Sequence, residues 1–212
     1  MDGPARRERL ARSRLYLVLE AHPHGKDPGP LLDAALRGGV DILQLREKEL
    51  DDEALIGAAM PFRDACTDHG ALFVLNDRPD LVKACGADGV HVGRRDATVE
   101  EARAFIGRDR LIGLSASTRE ELGSVAGADY VGVTAFATPT KADAVPGGLD
   151  LVHAAHATLT IPWFAIGGID LSNVSEVVAA GSSGIAVVRA IRDAIDPEVA
   201  ARTLRNALDR QK

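Results

Sequence analysis

The chain has 212 residues, 46% of them hydrophobic, and a formal net charge of −6. This is enough apolar content for one sizeable core or two small ones, and no apolar run approaches the length of a membrane span. The acidic balance argues against general nucleic-acid binding, so an anionic substrate must be held by local cations or a metal.

The N-terminus carries Arg6, Arg7, Arg9, Arg12 and Arg14. A signal peptide would follow such charges with a longer apolar stretch. Here Leu15–Leu19 is cut short by Glu20, so no targeting segment is expected. Residues 4–13 read as a short solvated helix against one end of the fold. Short apolar or β-branched runs then alternate with helical segments. The strands are expected at 15–19, 41–46, 71–75, 88–92, 111–115, 129–133, 163–166 and 184–188. The helices are expected at 29–37, 52–68, 79–85, 98–106, 118–126, 149–157, 172–180 and 197–209. Strands alternating with helices imply a parallel sheet with right-handed crossovers. Eight such units with no composition break predict a (β/α)8 TIM barrel, residues 1–212 forming a single domain with a short N-terminal helical extension at 1–14. A doubly wound open sheet is the alternative. Gly-Ala-Asp precedes a strand at 86–88 and again at 127–129, and this is read as structural punctuation. Cys66 and Cys85 show no metal or redox spacing and fit a reduced, cytoplasmic protein.

Two connections are long. Residues 21–30 follow the first strand, and residues 134–148 follow the sixth and are rich in Thr, Ala, Pro and Gly. Loops of this length in a compact domain are commonly lids or binding loops, here at the C-terminal face.

The second strand ends in Gln44-Leu45-Arg46-Glu47-Lys48. Alternation puts Ile42, Gln44, Arg46 and Lys48 on one face. An amide and two cations there read as a site for an anionic ligand, or as rim residues paired with nearby carboxylates. Polar residues recur at the other strand ends: Asn76-Asp77, His91 to Asp96, Ser115, Thr138-Pro139-Thr140-Lys141, and Gly167-Gly168. Asp77 and Asp96 suit Mg²⁺, which typically takes one or two carboxylates plus phosphate oxygens; the alternative is that either caps the helix after it. Gly167-Gly168 before Asp170 and Ser172 reads as a phosphate cradle or as a plain tight turn. His91, beside buried valines, reads as a hydrogen-bonded core histidine. His22 and His24 read as loop residues, and His69, His153 and His156 as helix-surface residues.

In order and spacing these segments resemble one family, thiamine-phosphate synthase, also called thiamine-phosphate pyrophosphorylase. The likeness runs from Leu15 to the C-terminus and is carried by Gln44–Lys48, Asn76-Asp77, Ala87–Gly93 with Asp96, Gly113–Ser115, Gly127–Gly132, Thr138–Lys141 and Ala165–Ile169. The resemblance implies a (β/α)8 barrel and a homodimer. It implies small phosphorylated substrates, with neither nucleic acid nor membrane as partner. The implied reaction joins hydroxymethylpyrimidine diphosphate to a thiazole phosphate, giving thiamine phosphate and pyrophosphate by a dissociative path. Carried over, Gln44, Arg46, Lys48, Asn76, Ser115 and Lys141 would hold the pyrimidine diphosphate, with Arg46, Lys48, Ser115 and Lys141 acting in catalysis. Asp77 and Asp96 would bind Mg²⁺. Thr138 and Thr140, with the backbone at Gly168 and around Val188-Arg189, would hold the thiazole phosphate.

Four positions at three places depart from the family pattern. Ser117 stands where many members have His, Thr134-Ala135 where Gly-Pro is usual, and Arg189 where Ser is common. The rival readings are a thiazole tautomerase relative, which needs the histidine that Ser117 replaces, and a non-catalytic barrel that binds a phosphorylated ligand.

Overall fold

The structure is a computed structural model and describes residues 1–136 and 147–209. Strands β1 (Leu15–Leu19), β2 (Ile42–Leu45), β3 (Leu72–Asn76), β4 (Gly89–Val92), β5 (Leu111–Ala116), β6 (Tyr130–Thr134), β7 (Trp163–Ile166) and β8 (Ile185–Val187) close into a barrel in chain order. Every pair is parallel, and Tyr16 opposite Ala186 closes the ring between β1 and β8. The open-sheet alternative is thereby excluded. The helices are α1 (Gly3–Arg12), α2 (Gly29–Arg37), α3 (Asp52–His69), α4 (Val99–Ile106), α5 (Arg119–Leu122), α6 (Gly148–Thr158), α7 (Val174–Ala179), α8 (Arg189–Arg192) and α9 (Pro197–Asp209). Among the described residues no helix is long and apolar enough to cross a membrane.

Parallel strands covered on both sides need apolar residues on both faces, which is why β1 reads LYLVL and β3 LFVLN. Alternation divides each strand between two cores. Leu17, Leu43, Phe73, Val90 and Val131 face outward and pack beneath the helices. Tyr16, Ile42, Leu72, Leu111, Tyr130 and Phe164 fill the lumen. Leu10 of α1 joins this inner cluster. The N-terminal helix is therefore a plug at the barrel's N-terminal end. It is less solvated than its composition predicts, since Arg6 is also buried and bonds Asp88 at 2.8 Å.

The Gly-Ala-Asp punctuation has a structural use. Gly86 and Gly127 turn the chain at φ of 69° and 83°. Asp88 then accepts from Phe73 N, and Asp129 from Ile112 N, while Arg6 and Arg7 of α1 bond the same two carboxylates.

Two helix expectations are corrected. Residues 79–85 form successive turns, with Leu81 N bonded to Arg78 O and Cys85 N to Leu81 O. The segment is too short to nucleate well. The helix expected at 118–126 is the single turn α5, because Gly123 takes its C-cap.

Candidate active site

Of the site residues read from the sequence, those within the described residues lie at or just beyond the C-terminal ends of their strands. Gln44 lies inside β2 and is 4% exposed. The strand ends at Leu45, so Arg46 and Lys48 stand just beyond it. Arg46 N still donates to Leu19 O at 2.8 Å, which carries the ladder one residue further. Among the described residues no carboxylate pairs with Arg46. Lys48 is exposed, its Nζ 4.0 Å from Asp77 Oδ2.

Asn76 closes β3, and the backbone then turns through Asp77 and Arg78 at φ of 54° and 48°. Two consecutive side-chain-bearing residues in the left-handed region are strained, and such strain concentrates at functional sites. The turn is held by Asp77 N donating to His91 O at 2.8 Å. Asn76 Nδ2 donates to Asp77 Oδ2 at 2.6 Å. Asp96 faces Asp77 from the loop after β4, where its Oδ2 accepts from Gly93 N at 3.0 Å.

Burial, then the charge and hydrogen bond of Asp96, push the Asp77 carboxyl up to about 6, against the opposing pull of Lys48 and Asn76. Neither aspartate caps a helix. Thr98 caps α4 in a capping box with Glu101, and Asp77 precedes turns. Two hard-oxygen groups pressed together against their own repulsion make a fitting seat for a cation. Among the described residues no group of three or more His, Cys, Asp or Glu forms a full metal cage. Two carboxylates, to be completed by phosphate oxygens, are the pattern expected for Mg²⁺.

Behind the mouth a chain of polar side chains crosses the lumen. Gln44 Nε2 is 2.5 Å from the Tyr16 hydroxyl, which is 2.9 Å from that of Tyr130. His91 lies 3.3 Å from Tyr130 through Nδ1 and 3.0 Å from Ser115 through Nε2. His91 is thus the expected hydrogen-bonded interior histidine, and it also touches a candidate site residue. Gly113 makes this contact possible: a Cβ there would come within 2.5 Å of both the Tyr130 hydroxyl and His91 Nδ1. The two tyrosines were missed as site residues, although period-two alternation in β1 puts Tyr16 on the same face as Val18 and Glu20.

On the opposite side Gly167 and Gly168 both take positive φ, 103° and 57°. A side chain at 167 would strike Phe136 O at 2.3 Å, so only glycine fits there. Asn173 Nδ2 donates to Gly168 O at 2.8 Å, and α7 starts at Val174, two residues later than expected. Asp170 is held below the usual carboxylate range by Ser172 first, with Arg189 adding a smaller pull. That places exposed Arg189 beside this turn. Val188 packs partly against the lumen cluster. Thr138, Thr140 and Lys141 lie outside the described residues; at the flanks, Gly148 N donates to Ala135 O at 2.8 Å. Ser117 Oγ lies 3.0 Å from Thr134 Oγ1 and forms a hydroxyl pair.

A family profile described as thiamine monophosphate synthase matches residues 15–191. The chain belongs to that family. A thiamine-phosphate synthase of Gloeobacter violaceus is 47% identical over 194 residues, 90% of this chain and 56% of that protein. One from Nostoc sp. is 41% identical over 213 residues, 99% of this chain and 60% of that protein. The chain thus spans little more than half the length of these cyanobacterial relatives. It spans 93% of the Streptomyces avermitilis thiamine-phosphate synthase, which is 45% identical over 92% of this chain. The solved thiamine phosphate pyrophosphorylase of Pyrococcus furiosus superposes with a TM-score of 0.85 at 32% identity, covering 96% of this chain and 98% of that one. The geranylgeranylglyceryl phosphate synthase of Thermoplasma acidophilum, at 13% identity and a TM-score of 0.69, shares the fold alone.

Proposed function

We propose that this barrel is a thiamine-phosphate synthase: it joins hydroxymethylpyrimidine diphosphate to a thiazole phosphate and releases pyrophosphate. The observation that carries this reading is the pairing of Asp77 with Asp96 beside Lys48, which follows Arg46 by two residues past the end of β2. Gln44 and Asn76 line the pyrimidine side. Arg46, Lys48, Ser115 and Lys141 hold the diphosphate. Thr138, Thr140, Gly168, Val188 and Arg189 receive the thiazole phosphate. Asp77 and Asp96 would hold Mg²⁺, and when bound this ion neutralises charge on the diphosphate.

The bond from the pyrimidine methylene carbon to the diphosphate oxygen breaks, and its electron pair leaves with pyrophosphate. Negative charge grows on the departing group. Fixed donors aimed at it act most strongly where water is excluded. Arg46 can meet two oxygens at once through its planar fork. The thiazole nitrogen then forms its bond to the methylene carbon. No group has to remove a proton in this sequence, which agrees with a hydroxyl pair at Ser117 and Thr134 in place of an acid–base histidine. Holding the two substrates in register supplies much of the remaining rate. The test is pyrophosphate release with both substrates, with one alone, and with Mg²⁺ withheld. Release is expected only with both substrates and the ion together. Binding of both without turnover would leave the ligand-binding barrel as the answer.

A further inference from the structure

The polar chain across the lumen has a direction. Gln44 turns its amide nitrogen to Tyr16, and that nitrogen can only donate. The Tyr16 oxygen therefore accepts, and giving its single proton to Tyr130, 2.9 Å away, is the order that leaves no buried proton unpaired. Tyr130 in turn has one proton, and His91 Nδ1 is the acceptor at 3.3 Å. A neutral imidazole that accepts at Nδ1 carries its proton at Nε2. That proton points at Ser115 Oγ, 3.0 Å away. The Ser115 hydroxyl proton is then free to point into the mouth. Burial pushes both phenols far above their ordinary range, so each keeps its proton at any working pH. The reverse order would have Ser115 donate to His91 and present only lone pairs to the mouth. Lone pairs repel an anionic leaving group.

We propose that Tyr16, Tyr130 and His91 are positioning residues: a one-way hydrogen-bond relay that fixes His91 as its Nε2–H tautomer and so makes Ser115 a standing donor to the departing diphosphate. The identity of that acceptor rests on the function proposed above; the direction of the relay does not. Gly113 is part of the device, because a methyl group at that position would drive Tyr130 and His91 apart.

The test is long-range ¹H–¹⁵N correlation spectroscopy on protein labelled at histidine nitrogen, without ligands, with His91 assigned by its loss in His91→Asn. The wild type should show a neutral ring protonated at Nε2. Tyr130→Phe, which keeps the ring and removes the donor, should show a mixture of tautomers. In turnover, Tyr130→Phe should lower kcat on the order of ten- to a hundredfold through misplacement, with KM for the thiazole phosphate unchanged. In a Ser115→Ala background the same substitution should cost less than about twofold, because residues acting through one group are not additive. A wild-type proton on Nδ1, a doubly protonated ring, or an equal kcat loss in both backgrounds would overturn the relay. The wild-type spectrum decides the direction even if a variant fails to fold. If the substrate pair does not turn over, the proposed function fails, and the spectrum still judges the relay.

Discussion

At the residue scale, charge placement separates function from stability. Among the described residues Arg46 has no carboxylate partner. Arg46→Gln should therefore change stability by roughly 0–1 kcal/mol at most. If Arg46 meets the leaving pyrophosphate, its loss should cost on the order of 10²–10³ in turnover. Arg46→Lys should restore only part, since a point charge cannot reproduce the guanidinium fork. Melting temperature measured beside the rate of pyrophosphate release decides this, and an unchanged rate removes Arg46 from the site. Asp77 gives the complementary case. Its folded-state pKa, about 6, lies above the ordinary 3.8. The folded protein therefore binds more protons than the unfolded chain between about pH 4 and 6, and stability falls as pH rises through that window. Asp77→Asn removes this cost. Without Mg²⁺ the variant should melt higher than the parent at pH 7, match it near pH 4, and turn over far more slowly. A variant that melts lower at pH 7 would show that the two carboxylates do not strain one another.

At the element scale, the strands were legible because each carries its own signal: a short apolar run, a turn before it and a polar residue at its end. The segment at 79–85 is a run of turns because it is short and follows the strained turn at Asp77-Arg78, neither of which its residue types reveal. The paired aspartates were legible as residue types at strand ends, but their meeting was not, because 19 positions of chain separate them. The tyrosines were illegible for a different reason. A buried aromatic in a strand has the same sequence signal whether it packs or relays a hydrogen bond. The N-terminal helix lies where the sequence puts it but is more deeply buried, since its four arginines mask a single inward leucine. Leu10 is 2% exposed and belongs to the lumen cluster that includes Tyr16 and Leu72. Leu10→Ala should cost about 2–5 kcal/mol in denaturant unfolding. The rate of pyrophosphate release at a temperature where the variant stays folded should be close to that of the parent, because the plug lies at the end opposite the mouth. A rate that fell with stability intact would link the plug to the site through the lumen chain.

At the scale of the whole molecule, the barrel separates what holds it together from what it does. Two concentric apolar cores, one under the helices and one in the lumen, are complete without any ion. The carboxylates of Asp77 and Asp96 sit at the mouth, beyond both cores. Structural metal sites, by contrast, supply folding energy outright and their domains unfold when the metal is removed. Chelation should therefore stop pyrophosphate release and leave the far-ultraviolet circular dichroism and the melting curve of the ligand-free protein unchanged near neutral pH. Mg²⁺ added together with the diphosphate substrate should raise the melting temperature, as any ligand that binds only the folded state must, by an amount that grows with its concentration over Kd. The same additions to Asp77→Asn should raise it much less. The net charge of −6 sharpens the comparison. A protein of that charge gains nothing from its overall field when it binds a polyanion, so the local cations and the ion must do the binding. Loss of helical signal on chelation would make the ion structural, and full activity in excess chelator would leave Asp77 and Asp96 as a proton-sharing pair with no metal to hold.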